Sequence, residues 1–129
     1  MDSFALLALF RGEPGEAVVA EFLERAKRGE LQLVMTVVNL GEVVYRTIRE
    51  KGMEAAERAL GKVHEFTIEF IDVDRSLALR AARLKGFHKI AYADCMAAAL
   101  AQALEAPLVT GDRDFEMIEN LNIEWLPSA

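Results

Sequence analysis

Apolar positions along the chain change period several times, and each change marks a helix or a strand. Phe4-Ala-Leu-Leu-Ala-Leu-Phe10 is rich in Ala and Leu and reads as a short buried helix rather than a strand. After the turn Gly12-Glu-Pro-Gly15, residues Val18, Val19, Phe22, Leu23 and Ala26 recur at helical spacing between Glu16 and Arg28, and Gly29 closes that helix. Leu31 to Met35 predicts a buried strand, and Thr36 to Asn39 supplies cap residues for a helix over roughly Leu40 to Glu50, stopped by Gly52. A further helix covers about Met53 to Glu65. Thr67 to Ile71 alternates like a strand with Val73 extending it, and Asp74 caps a helix reaching about Lys85. Gly86 to Ile90 reads as a loop, Ala91 to Leu104 is the most strongly helical stretch, and Leu108 to Thr110 is a short strand. Phe115 to Asn120 suggests a short helix and Asn122 to Leu126 a last strand. Strands alternating with helices predict an α/β fold whose parallel sheet is covered on both faces.

Several acids do not fit that pattern. The helix over Ala91 to Leu104 is small or apolar throughout its interior except at Asp94. An unpaired charge in an apolar core costs several kcal/mol, so Asp94 requires a partner or a cation, with only partial relief from first-turn backbone N–H groups. Asp112 and Asp114 follow a strand too short to shield them, at the edge where open parallel sheets bind ligands. Asp2 stands at the start of the first helix and Glu42 in the first turn of another. Singly, each has an ordinary explanation: Asp2 and the Asp112–Asp114 turn as helix caps, Glu42 as a surface ion pair with Arg46. Strand ends in a parallel sheet share one edge, so Asp2, Glu42, Asp94, Asp112 and Asp114 are all placed to converge there.

Composition narrows the chemistry. With 129 residues, 53% hydrophobic and 28% charged, the chain suits a single domain over residues 1–129 with its own core, not a disordered or repetitive protein. The lone Cys95 cannot form an internal disulfide, no signal-peptide pattern occurs, and no apolar run spans a membrane. A reducing, cytoplasmic setting without a membrane partner is expected. Fifteen basic against 21 acidic residues give a net charge of −6, which lacks the electrostatic footprint of a nonspecific nucleic-acid binder. An enzyme acting on phosphodiesters is still admitted, because cations bound by carboxylates reverse the local field. Neither G-x-x-x-x-G-K-[ST] nor G-x-G-x-x-G occurs, which disfavours nucleotide-binding classes.

Taken in order, Asp2-Ser3-Phe4-Ala5-Leu6-Leu7, Asn39-Leu-Gly-Glu42, Ala91-Tyr-Ala-Asp94-Cys-Met-Ala-Ala-Ala and Thr110-Gly-Asp112-Arg-Asp114-Phe115 resemble the four motifs of the PIN-domain ribonucleases. The closest resemblance is to the VapC-type toxins of prokaryotic toxin–antitoxin pairs. Each motif alone is unspecific, but the four together span nearly the whole chain. The resemblance implies a three-layer α/β/α PIN-like fold with a central parallel sheet. It also implies an endoribonuclease dependent on Mg²⁺ or Mn²⁺, a homodimer, an RNA substrate and an antitoxin protein partner. Matched position by position, Asp2, Glu42, Asp94 and Asp112 take the places of the four catalytic acids, Asp114 that of a variable extra acid and Thr110 that of a supporting hydroxyl. Asp2, Asp94 and Asp112 are the expected metal ligands, with Asp114 and Glu42 serving a second ion or its waters. Such oxygen donors suit a hard divalent cation, which can generate a hydroxide and stabilise a leaving alkoxide. Ser3 reads as a helix cap. In the family the first acid ends a buried central strand, whereas here only Met1 precedes Asp2. The first strand is therefore expected to be truncated before Asp2, leaving a gap in the sheet and placing the α-amino group where its charge competes with a metal.

Around the acids, Arg46, Lys89 and Arg113 are candidate RNA contacts, together with Arg49, Lys85 and His88, although solvated helix faces and loops explain such residues equally simply. Cys95 reads as a small buried hydrophobe, and Tyr92 and Trp125 as core or interface residues. Two other functions compete with the nuclease. One is a non-catalytic or truncated PIN-like module that dimerises and binds an antitoxin peptide. The other is a receiver-type phosphoacceptor, which would want an acidic pair after the first strand and a Lys after a late one, where Asp112 stands instead.

Overall fold

The computed structural model describes residues 1–127, so Ser128 and Ala129 of the expected 1–129 domain lie outside the described residues. In chain order the elements are α1 (Ser3–Arg11), α2 (Glu16–Lys27), β1 (Leu33–Thr36), α3 (Val37–Lys51), α4 (Met53–Glu65) and β2 (Ile68–Ile71). They continue with α5 (Arg75–Phe87), α6 (Tyr92–Leu104), β3 (Leu108–Thr110), a 3-10 turn (Arg113–Met117) and β4 (Ile123–Trp125). Side chains open three of the helices: Asp2, Thr36 and Asp74 accept hydrogen bonds from the backbone N–H groups of Ala5, Asn39 and Leu77. Gly12, at a φ of 66°, turns the chain out of α1 in a conformation that side chains with a Cβ resist.

Two boundaries differ from expectation. Because Thr36 ends β1 and caps α3 at once, α3 begins at Val37 rather than near Leu40. Glu42 consequently lies in the second turn, beyond the first turn over which the helix dipole acts. The expected 86–90 loop is also shorter, since α5 runs through Gly86 to Phe87. There the Nδ1 of His88 sits 2.8 Å from the Leu84 carbonyl and closes the helix end.

The strands form two parallel pairs, β1 with β2 (Leu33 opposite Ile68) and β3 with β4 (Leu108 opposite Ile123). Between the pairs lie Met1 and Asp2. The Met1 ammonium donates to the Val34 carbonyl at 3.1 Å and the Asp2 N–H to the Val109 carbonyl at 3.4 Å, one bond to each side, as a central parallel strand would make. A cavity of about 320 Å³ lies beside Met1, walled by Leu33, Val34, Pro107 and Val109. The central sheet is thus bridged by two residues instead of being continuous.

Alternation along the strands produces two cores, one on each face. Leu33, Met35 and Val109 pack with Leu6, Val19 and Val43 from α1, α2 and α3. Val34, Leu108 and Ile123 turn to the other side, toward Leu77, Cys95, Leu100 and Phe115. The mixed three-layer arrangement follows from these opposed faces, and it brings the start of α1, α3 and α6 and the end of β3 to one edge.

Candidate metal site at the sheet edge

Asp2 is 1% exposed and uses both carboxylate oxygens. Oδ1 accepts the Ala5 N–H at 3.2 Å, and Oδ2 accepts the Thr110 hydroxyl at 2.6 Å. The same Thr110 oxygen accepts the Asp112 N–H at 3.0 Å, so one buried hydroxyl joins the first acid to the fourth. Asp112 in turn accepts the Asp114 N–H at 2.9 Å. The cap reading of Asp2 and Asp112 is therefore correct and does not exclude a site, because capping fixes the direction of each carboxylate.

Ser3 corrects an expectation. Asp2 caps α1, and the Ser3 hydroxyl instead donates to Glu42 Oε1 at 2.5 Å, across 39 residues. This charge-assisted bond outweighs the expected Glu42–Arg46 pair, whose atoms are 4.0 Å apart. Asn39 was likewise missed as a positioning residue. Its Nδ2 donates to the Ala93 carbonyl at 3.3 Å and ties the first turn of α3 to the residue before Asp94. Asn39 stood inside the second motif, but nothing local in the sequence separates an inward amide from an ordinary cap residue.

The electrostatics join the five acids. Burial, followed by the charges of Glu42, Asp2, Asp112 and Asp114, pushes the Asp94 carboxyl up to about 7. Asp2 rises to about 6, chiefly through burial, against the Thr110 hydrogen bond, the N-terminal ammonium and the Ala5 N–H. Burial pushes the Met1 ammonium down, and the Asp2 charge opposes that shift. Both acids are raised above the ordinary 3.8. The folded chain therefore holds protons that the unfolded chain has released, and metal-free stability falls as pH rises from about 4 through about 7. Urea midpoints at pH 5 and pH 8 without divalent ions are expected to show the loss, and millimolar Mg²⁺ at pH 8 to reverse it.

The donors gathered here are carboxylate and hydroxyl oxygens, the set preferred by Mg²⁺ and Mn²⁺. Among the described residues Asp2, Asp94, Asp112 and Asp114 have no lysine or arginine partner and only Glu42 has one, Arg46 at 4.0 Å; their repulsion is what a cation relieves, so the residues fit such an ion. Among the described residues no group of three His, Cys, Asp or Glu side chains is placed to hold a metal ion by itself, so waters would have to complete the shell. Asp114 faces solvent and Asp94 and Asp112 are half-buried, an open arrangement suited to an ion that keeps several waters. Of the candidate RNA contacts, Arg46 reaches the rim beside Glu42 and Lys89 is exposed before α6. Arg113 is engaged elsewhere, with its guanidinium 4.3 Å from the centre of the Trp125 ring and 3.0 Å from Glu116.

Gly111 lets the acidic turn pass close to α1. A Cβ there would lie 2.4 Å from Phe4 Cε1. Gly111→Ala is expected to lose ~1–3 kcal/mol by forcing the ring or the turn aside, and the smaller side chain of Phe4→Leu to recover much of it. Urea unfolding of the single and double variants checks both.

A family model described as PIN domain matches residues 1–121. No curated protein matches the chain in sequence. Among solved structures, VapBC2 from Rickettsia felis bound to a promoter DNA fragment is similar with a TM-score of 0.76 and 22% identity, over 97% of this chain and 96% of that one. DNA-bound VapBC from Salmonella typhimurium has a TM-score of 0.73 and 22% identity over 95% and 93% of the two chains. VapC20 from Mycobacterium tuberculosis, a toxin that cleaves the sarcin-ricin loop, has a TM-score of 0.69 and 17% identity over 89% and 90%.

Proposed function

Given that the chain belongs to the PIN-domain family, we propose that it is a metal-dependent endoribonuclease of the VapC toxin type. The observation that carries this reading is the buried Thr110 hydroxyl that joins Asp2 to Asp112 at a sheet edge, where Asp94 and Glu42 also stand and where burial and then the other acids push the Asp94 carboxyl up to about 7. A Mg²⁺ or Mn²⁺ ion bound there supplies a water of lowered pKa and charge stabilisation for a phosphodiester undergoing displacement. Asp2, Asp94 and Asp112 would hold that ion, with Asp114 at the solvent side. Thr110 keeps Asp2 and Asp112 in register, and Ser3 fixes the Glu42 carboxylate, which would serve a second ion or the first ion's waters. Arg46 and Lys89 stand ready for phosphates at the rim, while Arg113 would have to leave Trp125 to join them.

The resemblance to VapBC complexes supports an antitoxin protein as partner, and a homodimer and a cytoplasmic setting complete the proposal. Among the described residues no helix is long and apolar enough to cross a membrane. A labelled single-stranded RNA incubated with the chain is expected to be cut in Mg²⁺ or Mn²⁺ and left intact in EDTA. Cleavage that persists in EDTA, or none with either metal, contradicts the proposal. The second outcome favours the non-catalytic module that dimerises and binds an antitoxin peptide.

A further inference from the structure

In a chain of net charge −6, no Asp or Glu occurs from Arg75 to Ala93, while Arg75, Arg80, Arg83, Lys85 and Lys89 all do. Among the described residues none of these five cations has an ion-pair partner. The stretch covers α5 and the connection that delivers Asp94 into the first turn of α6. Lys85 Nζ donates to the Ile90 carbonyl at 2.7 Å, which folds the end of α5 back onto the connection that leads into the helix carrying Asp94.

At this place stands Phe87, 88% exposed. Burial would stabilise a Phe side chain, and among the described residues no element of the fold covers this one. Arg83 lies one turn back on the same helix face and Lys89 two residues on. An uncovered ring between cations is the combination that holds single-stranded nucleic acid, with a base on the ring and phosphates on the charges. Tyr92 is no equivalent, since its hydroxyl is tied to the Ala78 carbonyl at 3.0 Å. Trp125 is already covered by Arg113.

We propose that Phe87 is a stacking platform for an unpaired base of single-stranded RNA, with Arg83 and Lys89 holding the neighbouring phosphates as the strand enters the acidic site. This rests on the ribonuclease reading above. The test measures binding apart from cleavage, using the Asp94→Asn chain, a fluorescein-labelled single-stranded RNA and fluorescence anisotropy in Mg²⁺. Phe87→Ala is expected to weaken binding about tenfold, the usual loss of one stacked base. Phe87→Trp retains affinity, and its added indole emission is quenched by RNA. Lys89→Ala lowers the slope of log K against log salt by about 0.7, one single-strand phosphate contact. Unchanged affinity in Phe87→Ala while the parent still cleaves RNA overturns the platform and leaves the ribonuclease reading intact. A parent that neither cleaves nor binds RNA overturns both. A smaller mass for Phe87→Ala in light scattering, with RNA affinity unchanged, assigns the ring to a contact between copies and also overturns the platform.

Discussion

Asp94→Asn is expected to cut RNA cleavage by at least about a hundredfold, as loss of one electrostatic catalytic group does, while raising the melting temperature of the metal-free chain by a few degrees at pH 8. The two effects share a cause. At that pH the Asp94 carboxyl, pushed up to about 7, is largely ionised beside Glu42, Asp2, Asp112 and Asp114, and among the described residues no Lys or Arg pairs with it. The amide preserves shape and removes one repelling charge, so the fold gains what the site loses. The gain disappears toward pH 5, where the parent carboxyl is protonated, and with it most of the difference between the two melting curves. A lower melting temperature for the variant at pH 8 would show Asp94 to be structural. Cleavage retained within threefold would remove it from the site.

Thr110→Val is expected to destabilise the fold by about 2–4 kcal/mol, because it strands two polar groups at once. The hydroxyl is fully buried, donates to Asp2 and accepts from the Asp112 N–H. Valine fills the space but offers neither bond. Asp2 then loses the side-chain donor that opposes its burial, and its carboxyl rises further above about 6. Thr110→Ser, which retains the oxygen, should remain within about 1 kcal/mol of the parent. Urea midpoints for the three chains decide the matter, and equal stability of Thr110→Val and the parent would mean that the hydroxyl does not join the two acids.

The parts of the fold readable from sequence were those set by local pattern. The interior of α6 announces itself by unbroken small and apolar residues, and Asp94 stands out against that background. Asp2 and Asp74 were recognisable as caps because their partners lie three residues away. The expected start of α3 near Leu40 lies too late because Thr36 and Asn39 both offer caps before it, and the Thr36 hydroxyl, which accepts from the Asn39 N–H, selects the earlier one. Partners distant in sequence escaped altogether. Ser3 finds Glu42 across 39 residues and Arg113 finds the Trp125 ring, and in neither case does the local sequence name the other residue. The backbone bonds of Met1 to Val34 and of Asp2 to Val109 were likewise not legible, because their partners lie more than thirty residues away.

One thermal melting experiment tests most directly whether these acids make one cation site. The chain is melted at pH 8 with and without millimolar Mn²⁺, beside Asp94→Asn and Asp112→Asn. An ion that binds only the folded state raises the midpoint, so the parent is expected to rise by several degrees and both variants to lose most of that rise. No rise in the parent, or an equal rise in all three chains, would contradict a shared metal site.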